Sequence, residues 1–464
     1  MAKLYSGYDN IRYAVLWCFF VALVITTGQP TPTGAADKAL TEFKTVLREN
    51  LALLWTGSES GPETLRWQED LKRLLATGAV SESELNIMVE STLLSLLDTH
   101  QTSRYVLKAL PDRINGLFSP YLDWQRFREI MWRAISSVAK EDDPILIKIG
   151  TLAPPGTPWL NAPETILLPE IDKLSQGKIR VKIYGGGVMG GDTDVLQKME
   201  TDQLDGCGCT ALGVLAAAPD TSALLMPGLF NNYQEVDYII QKFRKRLEAA
   251  FEERGYVVGA LVDTGFFYIF SKNKITDLAD LRKQRMLSWF GVIQTTLYQE
   301  LGIRALPVAV PDIVSSLSLG MADASLAPAG WVLGMQAYQY VKYYLKPPLL
   351  YSPSAVFVNT HMIDRLQNQL SISSTFTHNI QEIIVSEFNA FEPEWNRQIR
   401  DYEQKSLVAF ETKCNIKAIT FSPEDWKRIE QASQAVQEKM AGQAFPKELL
   451  NDINESLKAY RAKQ

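Results

Sequence analysis

The chain has 464 residues, too many for one ordinary core, so two or three domains are expected. Hydrophobic residues at 46% and charged residues at 22% match folded soluble proteins and exclude a disordered chain. The formal charge of -6 provides no broad basic surface for phosphate backbones, which excludes nucleic acid as an expected partner.

The chain opens on a charged stretch with Lys3 and Arg12, runs apolar from Tyr13 to Ile25, and then meets Thr26-Thr27-Gly28. An apolar run of this length, followed by small residues such as Gly34-Ala35-Ala36, fits an export signal better than a membrane span of about 20 residues. Residues 1–36 are therefore read as a signal peptide or, if uncleaved, an N-terminal membrane anchor, and a periplasmic location follows. Cys18 lies inside the apolar run, which disfavours a lipid anchor.

Residues 37–143 show helical periodicity and no convincing strand. The stretches ADKALTEFKTVLRENLALLW, RWQEDLKRLLATG and SESELNIMVESTLLSLLDTH place apolar residues three and four apart. Residues 57–62 and 78–81 read as turns, and Ser81 with Glu84 predicts a capping box. A helix from Trp124 to Lys140 ends at Glu141-Asp142-Asp143-Pro144, where a domain boundary is placed. The result is an all-α N-terminal extension of unknown role.

From Ile145 strands and helices alternate. ILIKIGTLAP and KIRVKIY read as strands around a helix from Trp159 to Ser175, and a helix capped by Asp192 runs to Thr201. LDGCGCTAL and GYVVGALVDTG follow as strands. A second set starts with FFYIFSK, a helix from Leu278, RMLSW, a helix over 291–301 and ALPV. This order predicts a mainly parallel α/β sheet whose ligands sit at the carboxyl ends of the strands. A long helix over 378–410, interrupted at Pro393, and another after Ser422-Pro423 close the chain.

Catalytic patterns are scarce. Gly185-Gly186-Gly187-Val188-Met189-Gly190 matches a dinucleotide-binding pattern, but a glycine-rich run satisfies it trivially, so it reads as a plain strand-to-helix turn, with a nucleotide site as the lesser alternative. His100, His361 and His378 lie in no nucleophile or metal motif, and no catalytic, metal or cofactor residue is assigned. Cys207 and Cys209 sit two apart, where a bridge is expected to be strained; they read as small buried residues, with a redox or metal pair as the alternative. Aromatic residues recur at strand ends: Trp159, Phe230, the run 266–268, Trp289-Phe290 and Trp331. Each alone reads as core, and together they read as walls of an apolar cleft.

Five stretches in order carry a family resemblance: IKIGTLAPPGTPW, GKIRVKIYGGGVMGGDTDVLQKM, LMPGLFNNYQEVDYII, KNKITDLADLRKQRMLSWFG and LPVAVPDIVSSLSLGMADASLAP. From Ile147 to about Lys439 the chain resembles the DctP-type solute-binding proteins of tripartite ATP-independent periplasmic (TRAP) transporters. The resemblance implies a two-lobed, type II-like clamp with hinge strands and a long linking helix, closing on a small molecule and delivering it to a membrane permease. It places lobe one at about 145–265 plus 355–390, and lobe two at about 266–352 plus part of the C-terminal helices. Typical members grip an organic acid with an Arg, and here Leu287 stands at that position. Arg285 is near but, on the expected strand register, is read as facing away, and Phe267 replaces a second Arg. The ligand set expected is Trp159, Thr210, Phe230, Phe267, Leu287, Ser288, Trp289, Phe290, Pro328 and Trp331, enclosing an apolar or amphipathic ligand. Three readings stay open: a transport subunit for a hydrophobic or weakly polar solute, a sensor or lipid carrier built on the same clamp, and an organic-acid binder with a non-standard cation. The helical extension is open to contacting an accessory protein. An enzyme is disfavoured by the missing catalytic groups.

Overall fold

A computed structural model describes residues 34–57, 80–118, 121–140 and 143–464. The predicted export segment up to Thr33, the stretch RWQEDLKRLLATG and most of the turn after Gly57 lie outside the described residues. The chain forms two compact units, one of residues up to Lys140 with Ile363–Ile383, the other of Glu141–Met362 with Ile384–Gln464.

In the first unit, helices α1 (Gly34–Thr56), α2 (Glu82–Thr99), α3 (Arg104–Phe118) and α4 (Trp124–Ser136) bury the apolar stripes that their spacing predicts. Leu47, Leu51 and Trp55 of α1, and Leu85, Val89, Leu93 and Leu96 of α2, are buried. The capping box forms: the Glu84 amide donates to Ser81 Oγ at 3.2 Å, and the Ser81 amide to Glu84 Oε2 at 2.7 Å. Residues 363–383 join this unit through polar bonds. Asn379 Oδ1 accepts from the Thr102 amide at 2.9 Å, and its Nδ2 donates to the Leu97 carbonyl at 2.8 Å.

The second unit is built on one sheet. Its strands are β1 (Ile145–Thr151), β2 (Ile179–Tyr184), β3 (Gly206–Cys209), β4 (Tyr256–Ser271), β5 (Arg285–Ser288), β6 (Arg304–Pro307), β7 (Ala324–Pro328), β8 (Tyr343–Leu345), β9 (Leu350–Asn359) and β10 (Lys417–Ile419). The main order is β2-β1-β3-β9-β4-β7-β5-β6. β1 pairs in parallel with β2 and β3, and β5 in parallel with β6 and β7. The expected mainly parallel sheet is thus two parallel sets joined by an antiparallel centre, because β9 runs against β3, β4 runs against β7, and the two run against each other. β9 was not read from the sequence: Pro353 and the serines of LYSPSAVFVN break its alternation.

GYVVGALVDTG and FFYIFSK, expected as separate strands, form the single 16-residue β4. Gly265, at φ 115°, bends the chain without ending it, and the pairing with β9 shifts register between Asp263 and Gly265. The first part of β4 therefore serves one strand set and the last part the other, which is what a hinge strand must do.

The helix Ser374–Thr412 is continuous through Pro393. Side-chain bonds to β4 on both sides of the proline hold it. The Leu261 amide donates to Glu392 Oε2 at 2.8 Å, and the Asp263 amide to Asn396 Oδ1 at 2.9 Å. The core is richest where β4 meets its neighbours, with Phe267, Phe270, Phe290, Tyr344 and Tyr351 fully buried.

Candidate functional site

Within the second unit, an open cleft of about 820 Å³ lies at the carboxyl ends of the parallel strands, against the bend of β4. Thr151 ends β1, Cys209 and Thr210 end β3, Trp289 follows β5, and Pro328 ends β7. Val262 and Thr264 of β4, Ser354 and Val356 of β9, and Phe388 and Trp395 of the long helix complete the wall. Among the described residues none of those lining the cleft is charged.

The ten residues expected at the site divide evenly. Trp159, Thr210, Trp289, Pro328 and Trp331 line the cleft. Phe230, Phe267, Leu287, Ser288 and Phe290 are instead buried beneath it. Phe267 lies under Trp289, the two rings stacked with centroids 5.6 Å apart, and Phe290 packs edge-on against both. Phe230 packs on Tyr351 at 5.6 Å. The Leu287 carbonyl accepts from Gln294 Nε2 and the Tyr298 hydroxyl, and Ser288 lies 3.4 Å from Gln294 Oε1. Sequence reasoning missed Trp395 and Phe388, which sit on a helix read only as a link; the aromatic spacing around Pro393 was the available signal.

Arg285 does not stand on the strand face opposite Leu287, against the expectation that it faces away. Residues two apart on a strand share a face, so alternation does not separate Arg285 from Leu287. Arg285 is kept from the cleft by Asp323, which its guanidinium grips through two bonds of 2.8 and 2.7 Å. No cation from this strand reaches the wall, because Leu287 is itself in the core.

Three indoles of the wall are fixed by their own N–H groups. Trp159 donates to the Asp263 carbonyl at 2.8 Å, Trp289 to the Leu326 carbonyl at 3.0 Å, and Trp395 to the Pro158 carbonyl at 3.0 Å. Gly330 lets Trp159 approach closely, since a Cβ there would lie 2.9 Å from the indole and 2.9 Å from Tyr402. Beneath Thr210 lies Asp192, which does not cap its helix as expected; Gly191 does. The Asp192 carboxylate instead accepts from the Thr210 hydroxyl and the Gly213 amide. Burial pushes its pKa up, and these bonds oppose the rise.

Cys207 and Cys209 are fully buried and joined through their sulfurs, against the expectation of two separate thiols. Their Cα atoms are 5.2 Å apart, within the span that a disulfide bridges. Together with Asp192 they form a compact buried group, but both sulfurs are used by the bridge and the carboxylate by its hydrogen bonds.

A polar network, buried except at Asp237, backs the bend of β4. Arg400 bonds Asp263 at 2.6 Å and Asp237 at 2.6 Å, and Tyr351 donates to Asp263 at 2.6 Å. Glu403 accepts from the Tyr233 hydroxyl, and burial raises its pKa to about 8. These groups set the backbone that holds Trp159 and Thr264, and none of them lines the cleft.

A cleft at the carboxyl ends of two strand sets, bridged by strands that bend at its floor, is the architecture of a ligand-binding clamp. The chain belongs to the DctP family, family 7 of the bacterial extracellular solute-binding proteins, whose sequence model matches residues 149–443. Solved structures share the fold. The sugar acid binding protein DctPAm from Advenella mimigardefordensis strain DPN7T, in complex with galactonate, superposes with a TM-score of 0.61 at 18% identity, over 68% of this chain and 98% of its own. A TRAP periplasmic solute-binding protein from Haemophilus influenzae RdAW with bound L-gulonate gives 0.60 at 15% identity, over 67% and 99%. One from Desulfovibrio salexigens with bound orotic acid gives 0.59 at 18%, over 68% and 99%. A curated relative, the uncharacterized protein y4mM of Sinorhizobium fredii (strain NBRC 101917 / NGR234), is 23% identical over 199 residues. That match spans 42% of this chain and only 37% of the relative. Among the described residues no helix is long and apolar enough to cross a membrane.

Proposed function

We propose that this protein is the extracytoplasmic solute-binding subunit of a TRAP-type transporter, and that its cleft takes an apolar or amphipathic solute without a carboxylate and delivers it to membrane permease subunits. Residues 144–464 would form the clamp. The observation that carries the ligand class is the wall itself: Trp159, Trp289, Trp331, Trp395 and Phe388, with no charged side chain among them. A carboxylate held away from water needs charge-assisted donors, and a guanidinium fork supplies them best. The three solved relatives named above hold galactonate, L-gulonate and orotic acid. In this chain the nearest strand arginine, Arg285, is bound to Asp323 instead. Burial of an apolar ligand would supply roughly 25 cal/mol per Å² covered, before the cost of ordering, and contacts to both strand sets would favour closure over the β4 bend.

Mass spectrometry of small molecules extracted from freshly purified protein tests this reading. A largely apolar or amphipathic compound without an acid group is expected at near-stoichiometric amount. Recovery of a tightly held sugar acid or dicarboxylate would overturn it.

A further inference from the structure

The hydrogen-bonding character of the cleft narrows the ligand further, and this step rests on the reading just given. Every side-chain hydroxyl in the wall has already spent its single proton on the protein. Thr151 donates to the Gly208 carbonyl at 2.6 Å, Ser354 to the Val262 carbonyl at 2.9 Å, Thr264 to the Pro353 carbonyl at 3.3 Å, and Thr210 to the Asp192 carboxylate. A hydroxyl has one donor and two lone pairs, so what these oxygens can still offer a ligand is lone pairs. The indole N–H groups of Trp159, Trp289 and Trp395 are likewise tied to backbone carbonyls. Trp331 is the one wall indole whose N–H has no protein partner among the described residues.

The side chains of the cleft thus present oxygen lone pairs and aromatic faces, and almost no protons. Trp289 shows the geometry: Phe267 covers one face of its ring, and Trp289 itself lines the cleft. An aromatic face carries negative charge density and attracts a desolvated organic cation. Behind Thr210, the carboxylate of Asp192 adds to the same sign of field. A primary ammonium would demand three well-placed acceptors; an ammonium clothed in methyl groups needs only aromatic walls.

We infer that the cleft selects a solute bearing an alkylated ammonium group, held against the indoles of Trp159, Trp289, Trp331 and Trp395, and that the scarcity of side-chain donors, with no cation among them, is what turns acids away. The positive centre would be recognised by ring faces and lone pairs, and the alkyl surface by burial.

Calorimetric titration of the full chain, stripped of ligand by unfolding, dialysis and refolding, separates the possibilities. The probes are choline, its uncharged shape-mate 3,3-dimethylbutan-1-ol, and succinate. Choline should bind at least about tenfold more tightly than the alcohol, and succinate not detectably. Trp331→Leu should weaken choline more than the alcohol, narrowing the ratio between them. Equal affinities for choline and the alcohol, or no binding of choline, would overturn the cation inference and leave the apolar reading standing. Tighter binding of succinate than of either would overturn both.

Discussion

Trp289 and Phe267 show how two adjacent aromatic rings take different roles. Phe267 is fully buried and supports; Trp289 is partly exposed and faces the cleft. Trp289→Ala should therefore cost more in the thermal stabilisation given by the co-purified ligand than in the melting point of the emptied protein. Leu287→Ala should lower the stability of the emptied protein by about 2–5 kcal/mol, since it leaves a cavity in packed core. Scanning calorimetry with and without ligand distinguishes the two, and equal losses in both states for Trp289→Ala would place that ring in the core. Arg285→Ala tests the cation that does not reach the cleft. Its partner Asp323 is held at 2.7 Å on a partly exposed edge, so ligand affinity should stay within about twofold and the melting point should move little.

At the scale of elements, β4 and the long helix Ser374–Thr412 act as one unit, fastened through Glu392, Asn396, Arg400 and Glu403. Glu403 holds its proton up to about pH 8 in the folded chain, against an ordinary value of 4.5, because burial, with the charge of Asp263 nearby, disfavours its charge and outweighs the Tyr233 hydrogen bond. Between those two values the folded chain binds more protons than the unfolded chain, so this group's contribution becomes progressively less favourable as pH rises and levels off above about 8. Glu403→Gln should flatten that decline, and denaturant melts at pH 5 and pH 8 should show the variant gaining relative to the parent at the higher pH. A constant difference across this range would refute the assignment. Much of this element-scale structure was legible: β1, β2, β3, β5 and β6 alternate or run apolar cleanly, and their order implied the clamp. Two features escaped. The fusion of two predicted strands into β4 depends on Gly265 accepting a positive φ, which composition alone does not distinguish from a turn. The cleft-facing side of the long helix escaped because the aromatic spacing around Pro393 marks Trp395 and Phe388 as packed residues without separating a wall residue from a core one. Phe230, Phe290 and Leu287 lie in the core without a mark of it in the sequence, being as apolar as the residues that line the cleft. Burial by a neighbouring element, not residue type, decides which ring is exposed.

At the scale of the whole molecule, residues 363–383 count with the N-terminal helices although they follow β9 in the chain. Asn379 exchanges bonds with Leu97, His100 and Thr102, so this segment depends on residues that lie 277 to 282 positions before Asn379 in the chain. A chain starting at Glu141 should therefore show faster amide hydrogen exchange across 363–383, while β1 and β3 stay protected. Unchanged exchange in that segment would show that the bonds to Asn379 contribute nothing to its order. The tethering of the cleft indoles has an optical corollary. Four of the ten tryptophans stand around one small volume, three of them unable to rotate. Intrinsic emission should then report filling without any added dye, its maximum moving to shorter wavelength as bulk water leaves the rings, so the protein carries its own gauge of occupancy.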